Sequence, residues 1–166
     1  MNEHTQAYMV EAVKKFLDGG FDGDKWNYEI YDETVFVGGI GGLKGKITDL
    51  KFYIIVGDES VTCYHAAPVK AQDDQRAEIC EFIARANYGL RNGNFEMDFS
   101  DGELRYKTTI SQNDLLRNDA AAYRSMGVLM ALGPSMWQRY GDKLVALLFG
   151  FSEGKSVEEL VEQCEE

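Results

Sequence analysis

Proline is nearly missing from this chain, with two in 166 residues. No Ser/Gly-rich tract stands in its place, so nothing marks a linker, and one domain spanning residues 1–166 is expected. Histidine is as scarce, at two, and cysteine comes to three, Cys63, Cys80 and Cys164. An odd cysteine count without a C-x-x-C pair fits free thiols in a reducing cytoplasm better than a disulfide framework. Basic side chains are outnumbered, 17 against 28 acidic, for a formal charge of -11. That field repels a phosphate backbone, so no nucleic-acid partner is expected. The acidity itself names no ligand, because solubility explains it. Long apolar runs are missing too: "VLMAL" and "LVALLF" are far too short to cross a bilayer. The opening "MNEHTQAYMVEAVKK" has acidic and polar residues where a signal peptide needs a basic segment and then an apolar run. The expectation is a cytoplasmic, soluble protein with no membrane partner.

What is present is an ordinary globular balance, 45% hydrophobic and 27% charged. Met9, Ala12, Val13, Phe16 and Leu17 recur at helical spacing, which predicts a helix from about Thr5, its N-cap, to Asp18. Trp26 to Ile30 adds a short candidate strand. "TVFVGGIGGL", "LKFYIIVG" and "SVTCYHA" read as three antiparallel strands, since their joints are too short for crossovers. "DQRAEICEFIARANYGL" returns to helical period, with Ile79, Phe82, Ile83 and Ala86 as its buried stripe and Gly89 at its C-terminal end. A hairpin follows, then "SQNDLLRNDAAAYRSMGVLMAL", opened by a capping box at Ser111 and Asp114. Gly133-Pro134 is expected to break that helix, with "SMWQRYGDKLVALLFGF" forming another. The closing "SVEELVEQC" carries a capping box at Ser156 and Glu159 and an apolar face of Val157, Leu160, Val161 and Cys164. The fold class is α+β, an antiparallel five-stranded sheet packed against helices in the order α-β-β-β-α-β-β-α.

The glycine run "VFVGGIGGLKGK" invites a phosphate-binding reading, and the spacing rejects it. A dinucleotide fingerprint started at Gly39 reaches Lys44 where its third glycine belongs. A P-loop frame ending at Gly45-Lys46 meets Ile47 instead of a hydroxyl. No helix follows to aim its dipole at an anion. Glycines inside a strand mark a bulge or a close approach of backbone, here by a helix expected over Gly39 and Gly41.

"GNFEMDFSDGELRYKTTI" has the strongest local signal. Asp101-Gly102 between alternating runs reads as a two-residue type I′ turn. That register sets Phe99, Met97 and Phe95 opposite Leu104, Tyr106 and Thr108 on one face. Asp98 and Glu96 then oppose Arg105 and Lys107 on the other. Carboxylates answered by bases are structural rather than an acid–base pair. "FIARANYGLRNGNFEMDFSDGELRYKTTI" resembles the signature of the YbjN-domain proteins, small bacterial proteins described as sensory transduction regulators. The similarity continues through "QRYGDKLVALLFG" and "SVEELVEQCEE" and, less specifically, back to Trp26. The resemblance implies a fold like that of type III secretion chaperones, with no established catalytic residues to carry over.

Cys63 and His65, two apart on a strand, share a face. With no further ligand cluster and no orienting third group, neither a metal site nor a nucleophile pair is expected. No catalytic, cofactor-binding or metal-ligating residue is therefore singled out. The expected function is a noncatalytic protein-interaction module with a regulatory or chaperone-like role and an unidentified protein partner. The alternative is a small-molecule-binding protein or enzyme with a pocket between sheet and helices. Lone polar residues on the apolar sheet face favour the alternative; a dry, filled core favours the module. A homodimer is also expected, because Trp137, Tyr140, Leu144, Leu147 and Phe151 form one apolar stripe while Met136, Val145, Leu148 and Phe149 spread onto neighbouring faces.

Overall fold

The computed structural model describes residues 3–20 and 23–166. Helix α1 (Glu3–Leu17) leads into β1 (Tyr28–Asp32), β2 (Val35–Gly41), β3 (Asp49–Val56) and β4 (Ser60–Lys70). Helix α2 (Arg76–Tyr88), the β5 (Asn94–Met97) and β6 (Glu103–Ser111) hairpin, and helices α3 (Gln112–Leu116), α4 (Asp119–Leu148) and α5 (Val157–Glu165) complete the chain. The strands form one antiparallel sheet in the order β1-β2-β3-β4-β6-β5. The α+β class and antiparallel sheet hold, with six strands rather than five. The extra member is β1, the short candidate beginning near Trp26, which pairs along β2 from Tyr28↔Gly38 onward.

Alternation is clearest in β3, β6 and the first half of β4. Leu50, Phe52, Ile54 and Val56 of β3 are buried, while Asp49, Lys51 and Ile55 are exposed. Val61, Cys63 and His65 of β4 and Leu104, Tyr106 and Thr108 of β6 continue the buried face. Among the described residues every helix lies on that side. Two apolar clusters result. Helix α1, Leu115 and the first half of α4 cover Phe36, Phe52, Ile54 and Val61. Helices α2 and α5 and the second half of α4 cover Phe95, Leu104 and Tyr106.

Helix α4 joins the two clusters, and here the structure departs from the expected break at Gly133-Pro134. The helix runs unbroken for 30 residues, with Pro134 inside it. Its apolar residues on both sides of the proline, Met126, Leu129 and Met130 and then Trp137, Tyr140 and Leu144, are all buried. That burial outweighs the roughly 3 kcal/mol an internal proline costs. The break falls earlier, at Asn118, whose side chain accepts from Ala121 N at 2.9 Å and starts α4. Ser111 does cap a helix, the short α3, accepting from Asp114 N at 3.2 Å. The Ser156–Glu159 capping box opens α5 as expected. Helix α1 starts two residues before Thr5, so Thr5 is an interior residue of its first turn. Gly89 ends α2 at φ -91° rather than in a left-handed cap.

The hairpin register also differs, by two residues. Met97 faces Leu104, Phe95 faces Tyr106, Glu96 faces Arg105 and Asn94 faces Lys107. The turn is a four-residue loop, 99–102, closed by Asp98 N donating to Glu103 O at 2.9 Å. Local caps and tertiary anchors select it over the shorter turn. The Asp98 carboxylate accepts from Ser100 N at 2.7 Å, and that of Asp101 accepts from Glu103 N at 3.0 Å. Ala71 N donates to Gly102 O at 2.9 Å, Arg76 Nη1 donates to Phe99 O at 2.6 Å, and Lys70 pairs with Asp101. A slip of two preserves the faces. Phe95 stays buried and Met97 half-buried, while Phe99 moves out to 61% exposure.

Gly102 sits at φ +76°, and a Cβ there would run into the Ala71 carbonyl. Gly102→Ala is expected to lower stability by about 1–3 kcal/mol in urea unfolding. Gly150→Ala, at φ +73° with open space around it, should cost distinctly less. Equal losses would show that the Ala71 contact adds nothing.

Candidate functional site on the open sheet face

The face turned away from the helices is built by the residues alternation leaves outside. Pairing sets Val37, Tyr53, Tyr64 and Lys107 in one row across β2, β3, β4 and β6. Val35, Ile55, Thr62 and Thr109 form the next row, and Lys51, Ala66, Arg105 and Glu96 another. In a chain of net charge -11, three cations gather here around two tyrosines. The Arg105 guanidinium lies 4.1 Å from the Tyr64 ring centre, with the Lys107 ammonium 6.0 Å from the same ring. Lys51 lies 5.1 Å from the Tyr53 ring centre. Such contacts fix the long cationic chains against the sheet.

Glu96 is the counter-ion of this face. Arg105 Nε donates to it at 2.9 Å, and Lys107 Nζ lies 3.6 Å away. Partial burial pushes its carboxyl up, but the Arg105 and Asn94 hydrogen bonds and the two cations win and hold it below the usual range. Glu96 is thus a fixed carboxylate that answers bases, as the sequence indicates, though its cross-strand neighbour is Arg105 rather than Lys107. Asp98 is spent on the loop, held below the usual range by its bonds from Ser100. The two carboxylates do not form an acid–base pair.

The other sequence candidates lie elsewhere. Cys63 and His65 do share a face, the covered one, and the Cys63 Sγ is 3.7 Å from either ring nitrogen. Burial pushes the thiol up and lowers His65 to about 4, so at neutral pH both are uncharged. A thiol and a neutral imidazole are not the thiolate–imidazolium couple that nucleophilic catalysis uses. The glycine run makes no anion cradle. Its loop is pinned to α4, with Lys44 N donating to Gln138 Oε1 at 2.9 Å and Lys46 N to Asp142 Oδ1 at 2.6 Å. A carboxylate of the chain already holds the amide that a phosphate would need. The helix expected over Gly39 and Gly41 is not there, because both positions fall on the open face. Gly38 is the glycine that close packing demands, as a Cβ there would strike the Phe52 ring.

Sequence reasoning missed two buried polar side chains as a pair, His65 and Thr108. The signal was available, since each interrupts an otherwise apolar alternating strand face, and such lone polar residues count toward the small-molecule alternative rather than a dry, filled core.

The domain is thus a one-sided antiparallel sheet backed by helices, with a cationic and aromatic outer face. The YbjN family model, whose description reads "Putative bacterial sensory transduction regulator", matches residues 21–144. The chain belongs to this family. No curated protein and no solved structure matches it.

His65 gives a pH-dependent stability with a definite sign. Its proton is bound near pH 6.5 in the unfolded chain but only near 4 in the folded one. The unfolded state therefore takes up the extra proton between those values, and stability falls as pH drops from 6.5 toward 4. The loss reaches at most on the order of 3 kcal/mol. Comparing urea midpoints of the parent and His65→Leu across that range checks it. The variant's curve should be flatter, whatever its absolute stability.

Proposed function

We propose that the chain is a noncatalytic, regulatory interaction module whose open sheet face receives another protein, in the manner of a chaperone-like adaptor. The carrying observation is the content of that face. A sheet surface that merely meets water alternates to short polar groups. This one presents Val35, Val37, Tyr53, Ile55 and Tyr64, with Lys51, Arg105 and Lys107 laid over the rings. Tyrosine and arginine in such company are the side chains that dominate protein interfaces. Membership in a family described as a sensory transduction regulator supports a regulatory role. Three free thiols are in keeping with a cytoplasmic setting.

The test is differential capture. Tagged protein carrying Tyr53→Ala and Tyr64→Ala should keep its melting temperature and lose a partner that the parent retains from native cells. Tyr88→Ala, fully exposed at the end of α2, should retain it. Retention by the double variant would remove the open face from the reading.

The homodimer belongs to the same proposal, on narrower support than the sequence suggested. Helix α5 packs on α2 and α4 and, with them, buries Trp137, Tyr140, Leu144 and Leu147. Phe149 and Phe151 stay exposed, at 57% and 64%. Sedimentation of the parent should give twice the 18.7 kDa chain mass, and a Phe149→Ser, Phe151→Ser variant should give the monomer. A parent that sediments as the monomer at all dilutions ends the dimer.

A further inference from the structure

On the covered side, at the end of the sheet where β5 stops, lies a cleft of about 490 Å³. Its origin is a mismatch of strand lengths. Strand β5 pairs with β6 only as far as Asn94↔Lys107, whereas β6 continues to Ser111. The backbone turns away at Gly93, φ +76°, and Asn92 O accepts the Tyr106 hydroxyl at 2.6 Å. By the alternation of an antiparallel ladder, Thr109 turns its N–H and C=O toward the strand position that β5 leaves vacant. Helix α4 forms the opposite wall with Arg124, Ser125, Val128 and Leu132.

Three features make this cleft a candidate binding site. Arg91 from the α2–β5 loop and Arg124 from α4 both line it, and neither has a hydrogen bond or ion pair among the described residues. Their charge is therefore free to meet an anion from solution. The second feature is Thr108, 3% exposed, which lines the same cleft and whose buried hydroxyl has no partner. A buried orphan hydroxyl costs stability, and its valine isostere would not. The third is the apolar wall of Val128, Leu132 and Ile110, with Val128 left 48% exposed. One carboxylate, Asp114, also lines the cleft and accepts from the Ser111 hydroxyl at 2.7 Å. With Lys107 also in the lining, three cations against one carboxylate leave the cleft net positive.

We infer that this cleft binds a small organic anion, an oxyanion group on an apolar body. Arg91 and Arg124 engage the oxyanion by charge-assisted hydrogen bonds. Val128, Leu132 and Ile110 take the body, and the Thr108 hydroxyl finds its missing partner in the ligand. This site opens on the covered side of the sheet, and the inference does not rest on the protein-docking surface, although Lys107 and Thr109 of β6 border both.

Amide-resolved NMR titration of the full chain tests this with three probes: hexanoate, hexyl phosphate and inorganic phosphate. Hexanoate or hexyl phosphate should shift the amides of Thr108, Thr109 and Ser125 saturably, and the tighter of the two identifies the oxyanion. Inorganic phosphate should bind at least about tenfold more weakly for want of apolar contact. Arg91→Gln with Arg124→Gln, both exposed and structurally neutral, should weaken binding by at least roughly tenfold. Thr108→Val should raise the melting temperature while weakening binding, a combination that a purely structural threonine would not give. A flat titration with both hexyl probes up to about ten millimolar overturns the inference. So does unchanged affinity in the arginine variant or in Thr108→Val, or inorganic phosphate binding as tightly as the hexyl probes.

Discussion

The contact on which this fold turns is the crossing of α4 over β4, where Gly133 meets the ring of His65. A Cβ at Gly133 would overlap the imidazole, so the helix can lie this close only because the residue has no side chain. Trp137, one turn on, donates from Nε1 to His65 O at 3.0 Å and ties the same strand residue to the helix. The 30-residue helix, about 45 Å long, thereby stays in contact with the sheet along its length. The two apolar clusters, one around Phe36, Phe52 and Ile54 and one around Phe95, Leu104 and Tyr106, are thus joined by a single helix.

The same crossing explains what is polar inside. The imidazole is held neutral there, with the Cys63 thiol 3.7 Å away and the α4 backbone at Gly133 against its ring. Thr108, on the neighbouring strand, pairs with Cys63 in the sheet register and lies at the same junction. The domain thus carries its buried polar side chains at the seam between its cores. Aromatic packing dominates away from the seam. Phe95 is within 4.9 to 5.6 Å of Tyr106, Trp137 and Tyr140, each nearly edge-on.

Much of this was legible from spacing alone. The alternating β3 and β4 segments, the helical stripe of Ile79, Phe82, Ile83 and Ala86, and the Ser156–Glu159 box each rest on a local pattern that the fold preserves. The failures share a cause, which is contact with residues far away in sequence. The DG turn lengthened because Ala71, Arg76 and Lys70 anchor the loop. Pro134 stayed helical because apolar residues on both sides of it were claimed by two different clusters. The cleft was not legible because it arises from the difference between two strand lengths, and no single residue announces that. His65 and Thr108 were visible as interruptions, but only the sheet register sets them near each other.

The sheet's two outer strands are short, five residues in β1 and four in β5, and β1 is broken by a bulge between Ile30 and Asp32. Glu29 and Asp32 on one and Glu96 on the other place charge along both rims. Unpaired backbone at a sheet rim is what seeds edge-to-edge association into fibrils, and brevity, bulges and charge are what discourage it. The broad, sticky face is therefore bordered by rims that resist growth of the sheet, which lets the domain display aromatic surface at high concentration without polymerising through its strands.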